Sequence, residues 1–269
     1  MISVEQVIEF REITLRTGVR LRYAEVGPRS GSPMLLLHGY SDSWFSFSRV
    51  LSLMPPELRL IIPDQRGHGD SERPTDGYTP PRFTEDAIAL LDALGITSAT
   101  VTGHSMGSFV AQALALLAPK RVSRLVLIGS AATADNEVVR SLVPLVQSLT
   151  DPVDATFVRE FQMSTIFRPV PEAFLDRMIA ESLKMPARVW KAVLAGLLDL
   201  PILTDTAVIR CPTSIFWGDR DAIFSRVEQD ELLRRIPGAR LHVFTDVGHG
   251  PHWEAPDQFV RELAAALQQ

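Results

Sequence analysis

The chain has 269 residues, 46% hydrophobic and 22% charged, a balance that excludes the disordered and fibrous classes. A chain of this length buries about three quarters of its unfolded surface on folding, and Cys211 is its single cysteine, so its core needs neither an internal disulfide nor a structural metal. The 27 basic and 32 acidic residues leave a formal charge of -5 with no extended run of Lys or Arg, which argues against nucleic acid or an anionic membrane as a partner.

The opening residues 1–15 carry charges throughout and lack the basic-then-apolar pattern of a secretory signal. No apolar run approaches the ~18 residues of a membrane span, so no membrane insertion is expected and the expected location is the cytoplasm. Val19, Leu21 and Tyr23 alternate with Arg20 and Arg22, which predicts a half-exposed edge hairpin with the segment Val7 to Leu15. The next strands read differently. Met34 to Leu37, Leu60 to Ile62, Ala99 to Thr102, Leu125 to Ile128 and Thr213 to Trp217 are short apolar or β-branched runs, as expected where both faces of a parallel sheet are covered. Pro80-Pro81 opens a helix whose apolar face is Phe83, Ala87, Leu90, Leu91 and Leu94. A second helix is expected over Ser108 to Leu117. A last strand, Arg240 to Thr245, precedes a C-terminal helix with the stripe Phe259, Val260, Leu263 and Leu267. Residues 133–203 break this alternation with helical pattern, repeated prolines and no strand, which predicts an inserted helical cap dividing the core into 1–132 and 204–269. The fold class is α/β, with a mostly parallel central sheet and helices on both faces.

Gly103-His104-Ser105-Met106-Gly107 lies between a predicted strand and a predicted helix and matches G-x-S-x-G. A sharp strand-to-helix turn strains the middle residue, and flanking glycines remove the Cβ atoms that would collide there. The hydroxyl of Ser105 is then presented outward beside the amides of the helix N-terminus, where a developing oxyanion would sit. Serine needs a base oriented by a third group. His249 follows the last strand and so emerges from the same sheet edge as Ser105; His252 is its rival, and His242 lies within the strand. No third ligand at suitable spacing accompanies the His249/His252 pair, so no metal is expected. At the end of the strand Thr213 to Trp217, Asp219 and Asp221 offer the acid. Asp221, further into the loop, is better placed, and Asp219 better suits a turn-fixing role. The amide of Met106 supplies one oxyanion donor, and Gly39 allows the close approach that would aim the amide of Tyr40 as the other.

These segments resemble the α/β-hydrolase fold with a helical cap, over essentially the whole chain. His38-Gly39 resembles that family's oxyanion segment, Asp64 to Ser71 its D-x-R-G-x-G-x-S loop, Gly103 to Gly107 its nucleophile elbow and Gly218 to Asp221 its acid loop. Gly248-His249, with Glu254 and Pro256 following, resembles its histidine loop. The resemblance implies a Ser105, Asp221, His249 triad and ranks His249 above His252. The segment Tyr40 to Phe45 resembles epoxide hydrolases and haloalkane dehalogenases, but those attack with Asp where this chain has Ser105, and the cap region contains no Tyr to activate an epoxide. Glu72 occupies the third glycine position of a dinucleotide fingerprint and no P-loop Lys follows a Gly-rich turn, so no cofactor is expected.

Large apolar residues in the cap region, among them Phe157, Phe161, Met163, Phe174, Met178 and Trp190, chiefly pack the cap, with a minority lining a pocket. Trp44 and Phe224 are the expected pocket walls. The expected partner is a small or medium apolar ester or lactone, cleaved through an acyl-enzyme. Carbon–carbon bond hydrolysis, cofactor-free perhydrolysis and a slowly turning ligand sensor are the alternatives. The oligomeric state stays open.

Overall fold

The structure is a computed structural model and describes residues 7–199 and 209–268. Its strands are β1 (Ile8–Thr14), β2 (Arg20–Val26), β3 (Ser32–Leu37), β4 (Leu58–Pro63), β5 (Ala99–His104), β6 (Val122–Ile128), β7 (Thr213–Gly218) and β8 (Arg240–Phe244). They form one sheet in the order β1-β2-β4-β3-β5-β6-β7-β8. The expected hairpin is present: β1 and β2 pair antiparallel with Ile13 opposite Leu21, and β2 is also antiparallel to β4. From β4 to β8 every neighbouring pair is parallel. The carboxyl ends of β3, β5, β7 and β8 therefore open on one edge of the sheet.

Both faces are covered, and strand alternation shows how. Leu35 and Leu37 of β3, with Val101, Leu125, Leu127 and Ile215, pack on one side against α2 (Pro80–Ala93) and α3 (Met106–Leu117) through Phe83, Leu90, Phe109 and Leu114. Met34 and Leu36, with Val126, Ile128 and Phe216, pack on the other against α1 (Ser48–Leu51) and the C-terminal helix through Val50, Leu51, Phe259 and Leu263. Each such fully buried Leu or Phe contributes about 1.5–3 kcal/mol relative to exposure.

Between β6 and β7 lie α4 (Glu137–Gln147), α5 (Ala155–Ser164), α6 (Glu172–Ser182) and α7 (Ala187–Leu198). Asn136 caps α4 by accepting from the amide of Val139, and Asp154 caps α5 by accepting from Thr156 and Phe157. The expected boundary at 203/204 lies outside the described residues. After β7 come α8 (Arg226–Arg235), α9 (Pro251–Glu254) and α10 (Pro256–Leu267). The sequence reading did not find α8, which is mostly charged and buries little beyond Gln229 and Leu232; its signal is the capping box of Ser225 and Glu228. Among the described residues, no helix is long and apolar enough to cross a membrane.

Candidate active site

Ser105 sits between β5 and α3 with φ +49° and ψ -117°, a conformation that L side chains rarely adopt. Its amide donates to the carbonyl of Ile128 at 2.9 Å, and its carbonyl accepts from the Ser108 amide at 2.8 Å and the Ser108 hydroxyl at 2.6 Å. The two glycines of the motif are needed sterically. A Cβ at Gly103 would overlap the carbonyl of Gly107, and one at Gly107 would overlap the carbonyl of Leu37. The turn is thus wedged between the ends of β3 and β5. Met106 is the first residue of α3, where an amide has no partner within the helix.

His249 and Asp221 arrive from the loops after β8 and β7. Nδ1 of His249 lies 2.9 Å from Oδ2 of Asp221, with the two side chains 3% and 0% exposed. The second oxygen of Asp221 accepts from the amides of Ile223 at 2.8 Å and Phe224 at 3.1 Å, which fixes the carboxylate's orientation. Asp219 does not reach the imidazole; its Oδ1 accepts from the Asp246 amide at 2.7 Å and braces the β8 turn. Gly129, at φ +50°, lets the chain after β6 pass under His249, because a Cβ there would lie 2.9 Å from Nδ1.

His252 lies elsewhere. It is wholly buried against Phe47, His104, Trp253 and Phe259, with Nε2 3.4 Å from the Ser46 hydroxyl, and burial drives its pKa well below the usual imidazole value. His242 stacks on Phe216 and pairs with Glu262 at 3.0 Å.

Ser105, Met106, Tyr40 and His249 line one cavity, which together with its mouth encloses about 570 Å³. Its walls are mostly apolar: Phe109, Ile223 and Phe224 from the sheet side, and Val139, Leu142, Phe161 and Leu197 from α4, α5 and α7. Phe224 is among these lining residues. Trp44 is not, which corrects the sequence reading. Its amide donates to Asp64 at 2.8 Å, and its ring packs edge-on against Phe10 at 4.8 Å, within the core cluster on the α1 and α10 side of the sheet. Of the large cap-region residues named from the sequence, Phe161 reaches the cavity, while Met163 faces solvent. Among the described residues lining the cavity there is no Lys or Arg.

Sequence reasoning missed Asp42, His104, Gln162 and Thr165, polar residues that also line this space. Asp42 and His104 stood inside motifs already singled out. Gln162 and Thr165 had no local signal, because their role depends on where α5 docks.

The loops around the cavity are tied to the inserted helices. The Tyr40 hydroxyl donates to the Trp190 carbonyl of α7 at 2.7 Å, and burial raises its pKa well above the usual phenol value. Gln162 of α5 donates to Asp42 at 3.1 Å and to Ser182 of α6 at 3.0 Å. The His249 amide donates to the Thr165 carbonyl at 3.0 Å, and Glu254 accepts from the amides of Gly248, Phe167 and Arg168 at 2.8, 3.2 and 2.6 Å. In the D-x-R-G-x-G-x-S segment, Asp64 accepts from the amides of Trp44 and Asp70, and Arg66 clamps Asp86 of α2 through Nε and Nη2 at 2.6 and 2.8 Å. These bonds shape loops and leave no group facing Ser105.

Comparison with known proteins agrees with this architecture. A family model described as the alpha/beta hydrolase family matches residues 34–262. A 2-hydroxymuconate semialdehyde hydrolase of Pseudomonas putida is 32% identical over 265 residues, spanning 93% of this chain and 91% of the relative. Lipase 1 of Psychrobacter immobilis is 29% identical over 261 residues, spanning 93% and 81%. Among solved structures, a hydrolase from Pseudomonas aeruginosa superposes with a TM-score of 0.87 at 25% identity, covering 97% of this chain and 99% of the other. An esterase from Exiguobacterium antarcticum superposes at 0.86 with 22% identity, covering 97% and 100%, a likeness of fold. With a family match that spans most of its length and a relative above 30% identity across nearly all of it, the chain belongs to the alpha/beta hydrolase family.

Proposed function

We propose that the protein is a serine hydrolase that cleaves a small or medium apolar carboxylic ester or lactone through an acyl-enzyme, without a cofactor. The observation that carries this reading is the shared cavity: a serine at positive φ on a strand-to-helix turn and an Asp221-bonded imidazole line one apolar space.

Asp221 accepts from Nδ1 of His249 and so leaves Nε2 with a lone pair, ready to take the proton of Ser105. The alkoxide oxygen attacks the substrate carbonyl, and the amides of Met106 and Tyr40 hold the resulting oxyanion. The imidazolium, stabilised by Asp221, returns the proton to the leaving alcohol, and water completes the cycle by the same relay. Helices α4 to α7 act as a cap that supplies apolar wall and keeps water from the reacting carbonyl. The lack of Lys and Arg among the described lining residues disfavours an anionic acyl chain, since a buried carboxylate without a partner costs several kcal/mol. On a chromogenic short-chain ester, Ser105→Ala is expected to lower kcat at least ~10³-fold with an unchanged circular dichroism spectrum. Retained turnover would show that another residue is the nucleophile.

The 2-hydroxymuconate semialdehyde hydrolase relative favours carbon–carbon bond hydrolysis as a second reading. The same triad would serve it, and product analysis with a vinylogous diketone separates the two. The cation-free lining places the neutral ester first.

A further inference from the structure

Asp42 takes no part in the proton relay just described, yet it lines the cavity and is only 2% exposed. Its Oδ1 accepts from Gln162 Nε2 at 3.1 Å, which fixes the rotamer. Its Oδ2 has no hydrogen-bond donor among the described residues; His104 Nδ1 stands 3.8 Å away. That nitrogen cannot supply the missing proton. His104 Nε2 lies 3.3 Å from the carbonyl oxygen of His249, which can only accept, so Nε2 carries the hydrogen. Burial lowers the pKa of His104 and keeps the ring neutral, which leaves Nδ1 with a lone pair, itself buried and unpartnered. Two acceptors thus stand near each other with no donor between them, and a carboxylate oxygen in that state at the cavity wall must be completed by solvent or by a ligand that displaces it.

The position of Oδ2 says where on the ligand the donor belongs. A Cβ at Gly39 would lie 2.9 Å from it, so the oxygen stands over the backbone that leads into Tyr40, the proposed oxyanion donor. We propose that Asp42 Oδ2 is a substrate-recognition acceptor for a hydroxyl or protonated amine carried within a few bonds of the reacting carbonyl. The preferred substrate is then a hydroxy- or amino-substituted ester on an otherwise apolar chain. This deepens the ester-hydrolase reading of the cavity and rests on it. A site built around a buried acceptor discriminates strongly against a ligand that lacks the donor, because binding the plain ligand leaves the acceptor dry and unpaired.

The test compares the p-nitrophenyl esters of butyric, 3-hydroxybutyric and 3-aminobutyric acid in two ways: kcat/KM with the wild-type protein, and affinity for Ser105→Ala, which does not depend on turnover. A donor-bearing ester is expected to exceed butyrate about 10-fold or more in both, and the two donor arms tell hydroxyl from amine. Asp42→Asn can keep an acceptor toward Gln162 but turns an N–H toward the ligand, and should bring the ratio close to unity in both assays. Equal affinity of Ser105→Ala for all three esters overturns the proposal, as does a preference that survives Asp42→Asn. If none of the esters is hydrolysed but the affinity ratio holds, the recognition site stands and the ester-hydrolase reading fails.

Discussion

Ser105 keeps φ at +49° because its neighbours leave it no other course, and the strain is held by contacts at Gly103 and Gly107 rather than by Ser105 itself. At Gly107 any Cβ would meet the carbonyls of both Leu37 and His38. Gly107→Ala must therefore push α3 away from the end of β3, and overpacking of this kind costs about 1–3 kcal/mol. The expected outcome is a lower denaturation midpoint, with ester turnover falling further than stability, because the Met106 amide moves with the helix. Unfolding curves and initial rates on the same preparation check this; an unchanged midpoint would mean the turn relaxes freely. The same scale separates the two histidines near the C-terminus. His249 has a carboxylate at 2.9 Å and a place in the cavity wall, whereas His252, three positions on, is packed against aromatic rings and His104, with one long contact to Ser46.

At the scale of elements, the loops after β3 and β8 carry Tyr40 and His249, two of the groups in the proposed mechanism, and both are bonded to the inserted helices. Tyr40 reaches α7, Asp42 reaches α5 through Gln162, and His249 meets the end of α5 at Thr165. Tyr40→Phe removes the bond to Trp190 while leaving the ring against Phe161 and Trp190. It should cost about 1 kcal/mol of stability and lower kcat a few-fold through a looser Tyr40 amide. Denaturant unfolding and steady-state rates test it, and a variant indistinguishable from wild type in both would detach the Tyr40 loop from the helices. These ties also explain what the sequence could tell. The buried strands, the hairpin, the strand-to-helix turn at Ser105 and the loops that bring Asp221 to His249 were legible because apolar runs, alternation and Gly-flanked motifs are local signals. Strand ends drifted by a residue or a few; β5, for example, runs on to His104. Helix α8 was hidden by its charge. Trp44 was misplaced because its segment follows Gly39 in sequence, while the bond from its amide to Asp64 turns it into the opposite layer. Gln162 and Thr165 were invisible, since nothing local sets how α5 docks on the sheet.

For the whole molecule, the buried imidazoles set the response to acid. Burial lowers the pKa of His68 from 6.5 to about 4, and lowers those of His38, His104 and His252 in the same direction. In the unfolded chain these rings take up protons near pH 6.5, so below that the unfolded state binds more protons than the folded one. Their contribution is complete above pH 6.5 and is lost as pH falls; for His68 the window runs from 6.5 down to about 4 and is worth about 3 kcal/mol. Asp64 acts oppositely. Burial raises its pKa from 3.8 to about 6, so the folded state takes up that proton first and regains, between about 6 and 3.8, roughly what one histidine loses. Glu254, also raised by burial, adds to that compensation. Four lowered imidazoles thus stand against these two acids, so the net sign is loss of stability on acidification. Denaturant unfolding at pH 8, 7, 6 and 5 should give a plateau down to about pH 7 and a decline below 6.5. Asp64→Asn, which removes one compensating proton, should steepen that decline even if it lowers stability throughout. A stability that holds level or rises from pH 7 to 5 would show that these rings accept protons in the folded state.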